Sequence, residues 1–257
     1  MTQASSDQPK TIPSATVVIF RNCPTGGPPE LLMVQRAREM RFAGGAAVFP
    51  GGRVDPEDYT LAARLLPDAD PEVAAAKIAG VRETLEETGL VIALQGPVSA
   101  GLAAEARALL LEQGALAPLL DHFGWSLDLE SLVPFARWSP QQDGSFDTRF
   151  FLANLSTGAV DIAVDATENT RLFWASAAAV LGMADAGEAQ IIYPTRRNLE
   201  RLALYATFEQ ACTHAREFPV GLISPYIEMV DGHKWLRIPD GHGYPVTGQP
   251  LEQVRRG

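Results

Sequence analysis

The sequence predicts a fold of the α/β class. Runs rich in β-branched and aromatic residues, such as Ala15-Thr16-Val17-Val18-Ile19-Phe20 and Arg149-Phe150-Phe151-Leu152, recur along the chain. Between them lie longer stretches with helical boundaries, above all residues 71–88. Composition is the third observation: 257 residues at 46% apolar and 20% charged support a sizeable core, so one large domain is expected.

Taken in order, residues 1–13 are polar and read as a loose tail, residues 14–245 as a single domain, and residues 246–257 as a second tail. Ser14 to Arg21 and Leu31 to Arg36 read as a hairpin turned by Pro24 to Pro29. A glycine-containing segment then leads into Phe49-Pro50-Gly51-Gly52-Arg53, where glycines permit backbone geometries closed to bulky residues. Residues 56–67 read as a short helix that either covers the site as a lid or pads the surface, the padding being the preferred reading. The 71–88 helix is bounded by Asp70-Pro71, an N-cap followed by proline, and by Gly89 at the left-handed C-terminal position. Leu90 to Leu94 reads as a strand and Gly101 to Gly114 as a helix. Leu132 to Trp138 and Thr148 to Leu155 read as a second hairpin. Ser176 caps a short helix, Tyr193-Pro194 starts a long one running to about Glu217, and Leu222 to Ile227 with Trp235 to Ile238 form a last pair of strands.

A formal charge of −10 argues against nucleic acid or an acidic membrane as a partner, so an anionic ligand must meet local arginines or a metal. Cys23 and Cys212 are too few for a disulfide framework, and no basic-then-apolar leader opens the chain, so a cytoplasmic setting is expected. The apolar stretch from Leu102 to Leu120 is interrupted by Glu105, Arg107 and Glu112 and is no membrane span. His122, His214, His233 and His242 are scattered without zinc-like spacing, and there is no Gly-x-Ser-x-Gly elbow. A homodimer is the default expectation.

Chemistry concentrates in Arg82-Glu83-Thr84-Leu85-Glu86-Glu87-Thr88-Gly89-Leu90. On a helix, Glu83, Glu86 and Glu87 share one face, and the apolar stripe Ile78, Val81, Leu85 is centred about 160° away. One face can pack while the other holds concentrated negative charge, expected at the surface. Such a face either meets water or holds a hard divalent cation through carboxylate oxygens, the arrangement used in metal-assisted phosphate chemistry.

These residues resemble the second half of the Nudix box, and Gly52 with Asp58 six positions on resembles its first half. The resemblance implies an α/β/α sandwich with a mixed sheet and extra helices. It also implies that Glu83, Glu86 and Glu87 bind Mg2+ or Mn2+, that Arg82 orients them, and that Gly52 lies in a tight loop beside the site. Three positions depart from the pattern. Asp58 stands in place of glutamate, and Thr84 in place of an aliphatic residue. Arg82 lies 30 positions after Gly52 rather than 14, an insertion of 16 spanning about residues 56–70.

Upstream, Leu32-Met33-Val34-Gln35-Arg36-Ala37, Arg41, Gly45 and Phe49-Pro50-Gly51-Gly52 resemble the signature of coenzyme A diphosphatases, a Nudix branch, with Val34 and Ala37 replacing threonine and serine. This implies that Arg36 and Arg41, with the Gly51-Gly52-Arg53 loop, bind substrate phosphates. It also implies cleavage of coenzyme A or an acyl derivative to phosphopantetheine and adenosine 3′,5′-bisphosphate. Within enzymes the other reading is a hydrolase of NADH, ADP-ribose or another nucleoside diphosphate derivative. Outside enzymes it is a Nudix-fold sensor of a nucleotide ligand. By the same resemblance, an acid on a loop beyond the box adds a metal ligand or general base, and Glu168 is the position chosen.

Overall fold

The computed structural model describes residues 9–38, 40, 43–96, 98–155 and 169–254. Eleven strands and seven helices lie among them: β1 (Ile12–Arg21), β2 (Glu30–Arg36), β3 (Ala47–Val48), β4 (Gly51–Arg53), α1 (Pro56–Leu65), α2 (Pro71–Thr88), α3 (Ala100–Gln113), α4 (Leu116–Phe123), β5 (Val133–Trp138), β6 (Phe146–Asn154), β7 (Asn169–Ala175), α5 (Ala177–Asp185), α6 (Tyr193–Leu202), α7 (Phe208–Glu217), β8 (Leu222–Ile223), β9 (Tyr226–Val230), β10 (His233–Arg237) and β11 (Gly248–Pro250).

Eight strands make a mixed sheet in the order β3-β2-β1-β6-β5-β8, with β4 also on β1 and β7 also on β2. The central pair β1 and β6 is parallel, as is β5 with β8, and the remaining pairings are antiparallel. Alternation along β1 sorts the core: Val17 and Ile19 join the cluster under α1 to α4, whereas Val18 and Phe20 join the one under α5 to α7. The sheet is thus covered on both faces, giving the three-layer α/β/α sandwich. Each large aliphatic or aromatic side chain taken from water in these two clusters contributes roughly 1.5–3 kcal/mol.

Two features of this frame position the site. One edge of β1 is divided, Phe20 and Arg21 pairing with β2 while Ser14 to Thr16 pair with β4. This sets the Gly51-Gly52 backbone beside α2. That helix starts where Asp70 accepts the Val73 N–H at 3.0 Å and ends at Gly89 with φ of 73°, a conformation that favours glycine. It lies against the sheet at Gly80, where an added Cβ would come within 2.8 Å of Val17. Thr84, fully buried, donates its hydroxyl to the Gly80 carbonyl at 2.7 Å, so a polar side chain is accommodated where an aliphatic one was expected.

Several expectations are corrected. Residues 90–94 form no strand, only an isolated bridge from Leu94 to Leu127; Leu90 and Ile92 are buried by packing rather than pairing. The long helix from Tyr193 is two helices, interrupted before Thr207, whose hydroxyl caps α7 by accepting the Gln210 N–H at 3.2 Å. The last strands are not one pair. β8 joins the main sheet, while β9, β10 and β11 form a separate antiparallel sheet, in which β11 comes from residues assigned to a tail. The apolar stretch from Leu102 to Leu120 falls in two helices, α3 and α4, divided at Gly114. No helix among the described residues is long and apolar enough to cross a membrane.

Candidate active site

Arg82 is the hub of the site, 3% exposed on α2. Its guanidinium forks onto the Asp58 carboxylate, Nε to Oδ1 at 3.1 Å and Nη2 to Oδ2 at 2.9 Å. Nη2 also donates to the Arg53 carbonyl at 2.9 Å and lies 3.1 Å from Asp55 Oδ2. Nη1 donates to Glu83 at 3.0 Å and to Glu86 at 3.3 Å. Burial disfavours the guanidinium charge, but the hydrogen bonds to Asp58 and the charges of Glu83, Asp58 and Glu86 outweigh it, so the group stays protonated.

Asp58, shorter than the glutamate of the box and displaced by the insertion, nevertheless sits opposite Arg82, because α1 opens at Pro56 and brings its first turn to the site. One of its oxygens also accepts the Asp55 N–H at 2.9 Å, so a single carboxylate caps α1 and holds Arg82. The start of the insertion is therefore part of the site rather than surface padding. Burial pushes the Asp58 carboxyl above its ordinary value, with Arg82 opposing.

The acidic face of α2 is not the exposed face expected from its pattern. Glu87 is 5% exposed, and Glu83 and Glu86 are half-buried. Burial pushes the Glu83 carboxyl up to about 8; Arg82 opposes the shift, and the charges of Glu86 and Glu87 add to it. Burial likewise raises Glu86 against the pull of Arg82. Glu87 accepts the Gly51 N–H at 3.0 Å. Backbone and carboxylate meet because there is no Cβ between them. One placed on Gly52 would come within 2.6 Å of Glu83 Oε2 and closer still to its other carboxyl atoms, and one on Gly51 would strike the Ala15 and Thr16 backbone.

Arg36 completes the wall. The register of β2 on β7 shifts between Gln35 and Arg36, an irregularity of the kind that re-aims side chains. Its Nη1 lies 3.9 Å from Glu87 Oε1, and its Nε is buried without a hydrogen-bond partner. Val34, two residues earlier, is fully buried, so the hydroxyl absent there would not face a ligand. The Arg53 side chain is exposed, with its guanidinium carbon 5.9 Å from the Phe146 ring centroid. Arg41 and Glu168 lie outside the described residues.

The structure thus brings together Arg82, Glu83, Glu86, Glu87, Gly51, Gly52, Arg53 and Arg36, and adds Asp58 and Asp55. Glu83 and Glu86 converge on one guanidinium nitrogen, while Glu87 turns toward Gly51 and Arg36. Among the described residues no three His, Cys, Asp or Glu side chains converge closely enough to cage an ion by themselves. The donors are hard carboxylate oxygens beside a backbone cradle that admits no Cβ, which fits a cation held by one or two carboxylates, with water and phosphate oxygens completing its shell.

No family model matches the chain. A crystal structure of a NUDIX hydrolase from Alicyclobacillus acidocaldarius aligns over 80% of this chain and 96% of that one, with 29% identity and a TM-score of 0.67. Curated relatives described as the uncharacterized Nudix hydrolase NudL, from Yersinia pestis (strain Pestoides F) and Yersinia pseudotuberculosis (serotype O:1b, strain IP 31758), are 44% identical over 46 residues. That match spans 18% of this chain and 23% of theirs. The shared three-layer fold, the solved structure that aligns over most of the chain and the box residues gathered around Arg82 agree: the chain has the Nudix fold and is similar to the Nudix hydrolases.

Proposed function

We propose that this protein is a divalent-metal-dependent hydrolase of a diphosphate linkage, with coenzyme A or an acyl derivative as its substrate and phosphopantetheine and adenosine 3′,5′-bisphosphate as products. The observation that carries the reaction class is the convergence of Glu83 and Glu86 on Arg82, with Glu87 one turn away on the Gly51 N–H.

A Mg2+ or Mn2+ held by carboxylates from the set Glu83, Glu86 and Glu87 would supply Lewis acidity, lowering the pKa of a bound water and offsetting charge on the phosphoryl oxygens. The chain's own groups do the rest. Arg82, held by Asp58, keeps Glu83 and Glu86 adjacent at their observed separation from its Nη1. The Gly51 N–H holds Glu87. Arg36, with a buried Nε free of a hydrogen-bond partner, and exposed Arg53 offer positive charge to the substrate phosphates in a chain that is otherwise strongly acidic. Glu168 is the base proposed from sequence to accept the proton of the attacking water.

The coenzyme A assignment rests on the resemblance of Arg36, Arg41 and the Phe49-Pro50-Gly51-Gly52 loop to the coenzyme A diphosphatase signature. A magnesium-dependent hydrolysis panel of coenzyme A, acyl derivatives, NADH, ADP-ribose and diadenosine compounds tests it. Coenzyme A or an acyl derivative is expected to give the highest kcat/KM, with activity abolished by chelation. A preference for NADH or ADP-ribose that survives Arg36→Ala would move the substrate to the other nucleoside diphosphate derivatives, and turnover in excess chelator would remove the metal. A cytoplasmic setting and a small-molecule partner belong to the same proposal.

A further inference from the structure

The last turn of α2 carries Glu86 and Glu87 but no basic residue of its own. Helix ends leave carbonyls without intrahelical partners and carry partial negative charge, which two carboxylates on the same turn make worse. The terminal bonds are accounted for locally in part. The Gly89 N–H donates to the Leu85 carbonyl at 3.0 Å, and the Leu90 N–H turns to the Thr88 hydroxyl at 3.1 Å. The Leu90 N–H is thus spent, and it is the one that would otherwise reach the Glu86 carbonyl. That carbonyl is taken instead by Arg107, from the middle of α3, through two bonds: Nε at 2.9 Å and Nη2 at 2.7 Å.

We infer that Arg107 is a positioning residue for the metal-binding turn, clamping the Glu86 backbone so that the Glu86 and Glu87 carboxylates stay aimed at the site. It touches main chain rather than carboxylate. The largest charge effects on the Glu86 carboxyl come from Arg82, Asp58 and Asp55. Its own helix is fixed, since Ala103, Ala106 and Leu110 on either side are buried, so the clamp is anchored to the core. A guanidinium at this point supplies both the missing hydrogen bonds and the positive charge favoured at a helix C-terminus. The side chain is separated from Glu86 by 21 positions and lies outside the box.

The inference rests on the proposed role of Glu86 and Glu87 as ligands, and the test separates the two. Arg107→Ala and Arg107→Lys are compared with the unaltered chain by amide hydrogen exchange over residues 84–90, and by Mn2+ binding followed from the electron paramagnetic resonance of free Mn2+. Arg107→Ala is expected to speed exchange in the last turn of α2 and weaken Mn2+ binding 10- to 100-fold, the range seen when a group that holds a ligand is removed. KM at saturating metal should stay within twofold, and Arg107→Lys should recover part of the affinity. Unchanged exchange and unchanged Mn2+ affinity in Arg107→Ala overturn the inference. Faster exchange with unchanged affinity also overturns it, reducing Arg107 to a local stabiliser. If the unaltered chain binds no Mn2+, the metal reading itself fails and the positioning role goes with it, whatever the exchange data show.

Discussion

Gly52→Ala isolates the cradle from the rest of the fold. The added Cβ would sit 2.6 Å from Glu83 Oε2 and nearer still to Cδ and Oε1, whereas ordinary contact begins at 3.4 Å, so the carboxylate must retreat by at least about 0.8 Å. The three atoms nearest the new methyl all belong to the Glu83 carboxylate, and Gly52 does not occupy a left-handed conformation, so alanine puts no φ strain on the backbone. Glu83 is not free to swing, because its carboxylate accepts from Arg82 at 3.0 Å. A misplacement near 1 Å costs on the order of 100-fold in rate, which is about 2.7 kcal/mol of barrier. The assay is kcat/KM on coenzyme A with saturating Mg2+, alongside thermal unfolding in chelator. About a 100-fold loss with a midpoint within about 2 °C of the parent is expected. Parental activity would refute the reasoning, since it would show that Glu83 can leave its observed place without consequence.

Three further outcomes follow from the same geometry. Arg82→Ala leaves Asp58 buried without its cation and should cost about 3–5 kcal/mol, measured by chemical denaturation; a loss under 1 kcal/mol would show that the pair holds nothing together. Glu87→Gln keeps an acceptor for the Gly51 N–H, so unfolding should be nearly unchanged while turnover falls at least about 100-fold; a strongly unfolded variant contradicts this. The Glu83 carboxyl, pushed up to about 8 by burial from an ordinary 4.5, holds a proton that the unfolded chain has released. Its stabilising contribution is complete below pH 4.5 and is lost as pH rises to about 8, at up to about 1.4 kcal/mol per unit. Metal-free protein should therefore lose stability across that window, and Mg2+ should reverse the loss; a midpoint in chelator that rises from pH 5 to 8 would reject it.

What the sequence disclosed was what its local signals encode. Asp70-Pro71 and Gly89 act within a turn of the helix ends they set, so α2 was legible to the residue, and spacings of one, three and four put Glu83, Glu86 and Glu87 on one face. The environment of that face was not legible, because burial of Glu87 depends on a glycine loop 36 positions earlier. The Asp58–Arg82 pair spans 24 positions and an insertion, and no local rule joins the two. Val91 and Ile92 carry strand-like composition, yet their apolar surface is taken up by the helical layer without a ladder. Ala203 to Ala206 continue a helical pattern, and only the Thr207 cap marks the interruption.

The central claim is that the carboxylates of α2 hold a divalent cation beside the Gly51-Gly52 loop. Anomalous scattering from Mn2+ soaked into a crystal measures it directly: the account predicts a peak within bonding distance of carboxylate oxygens from Glu83, Glu86 or Glu87. A peak bound elsewhere, or none while those side chains stay locked to Arg82 and Gly51, would contradict it.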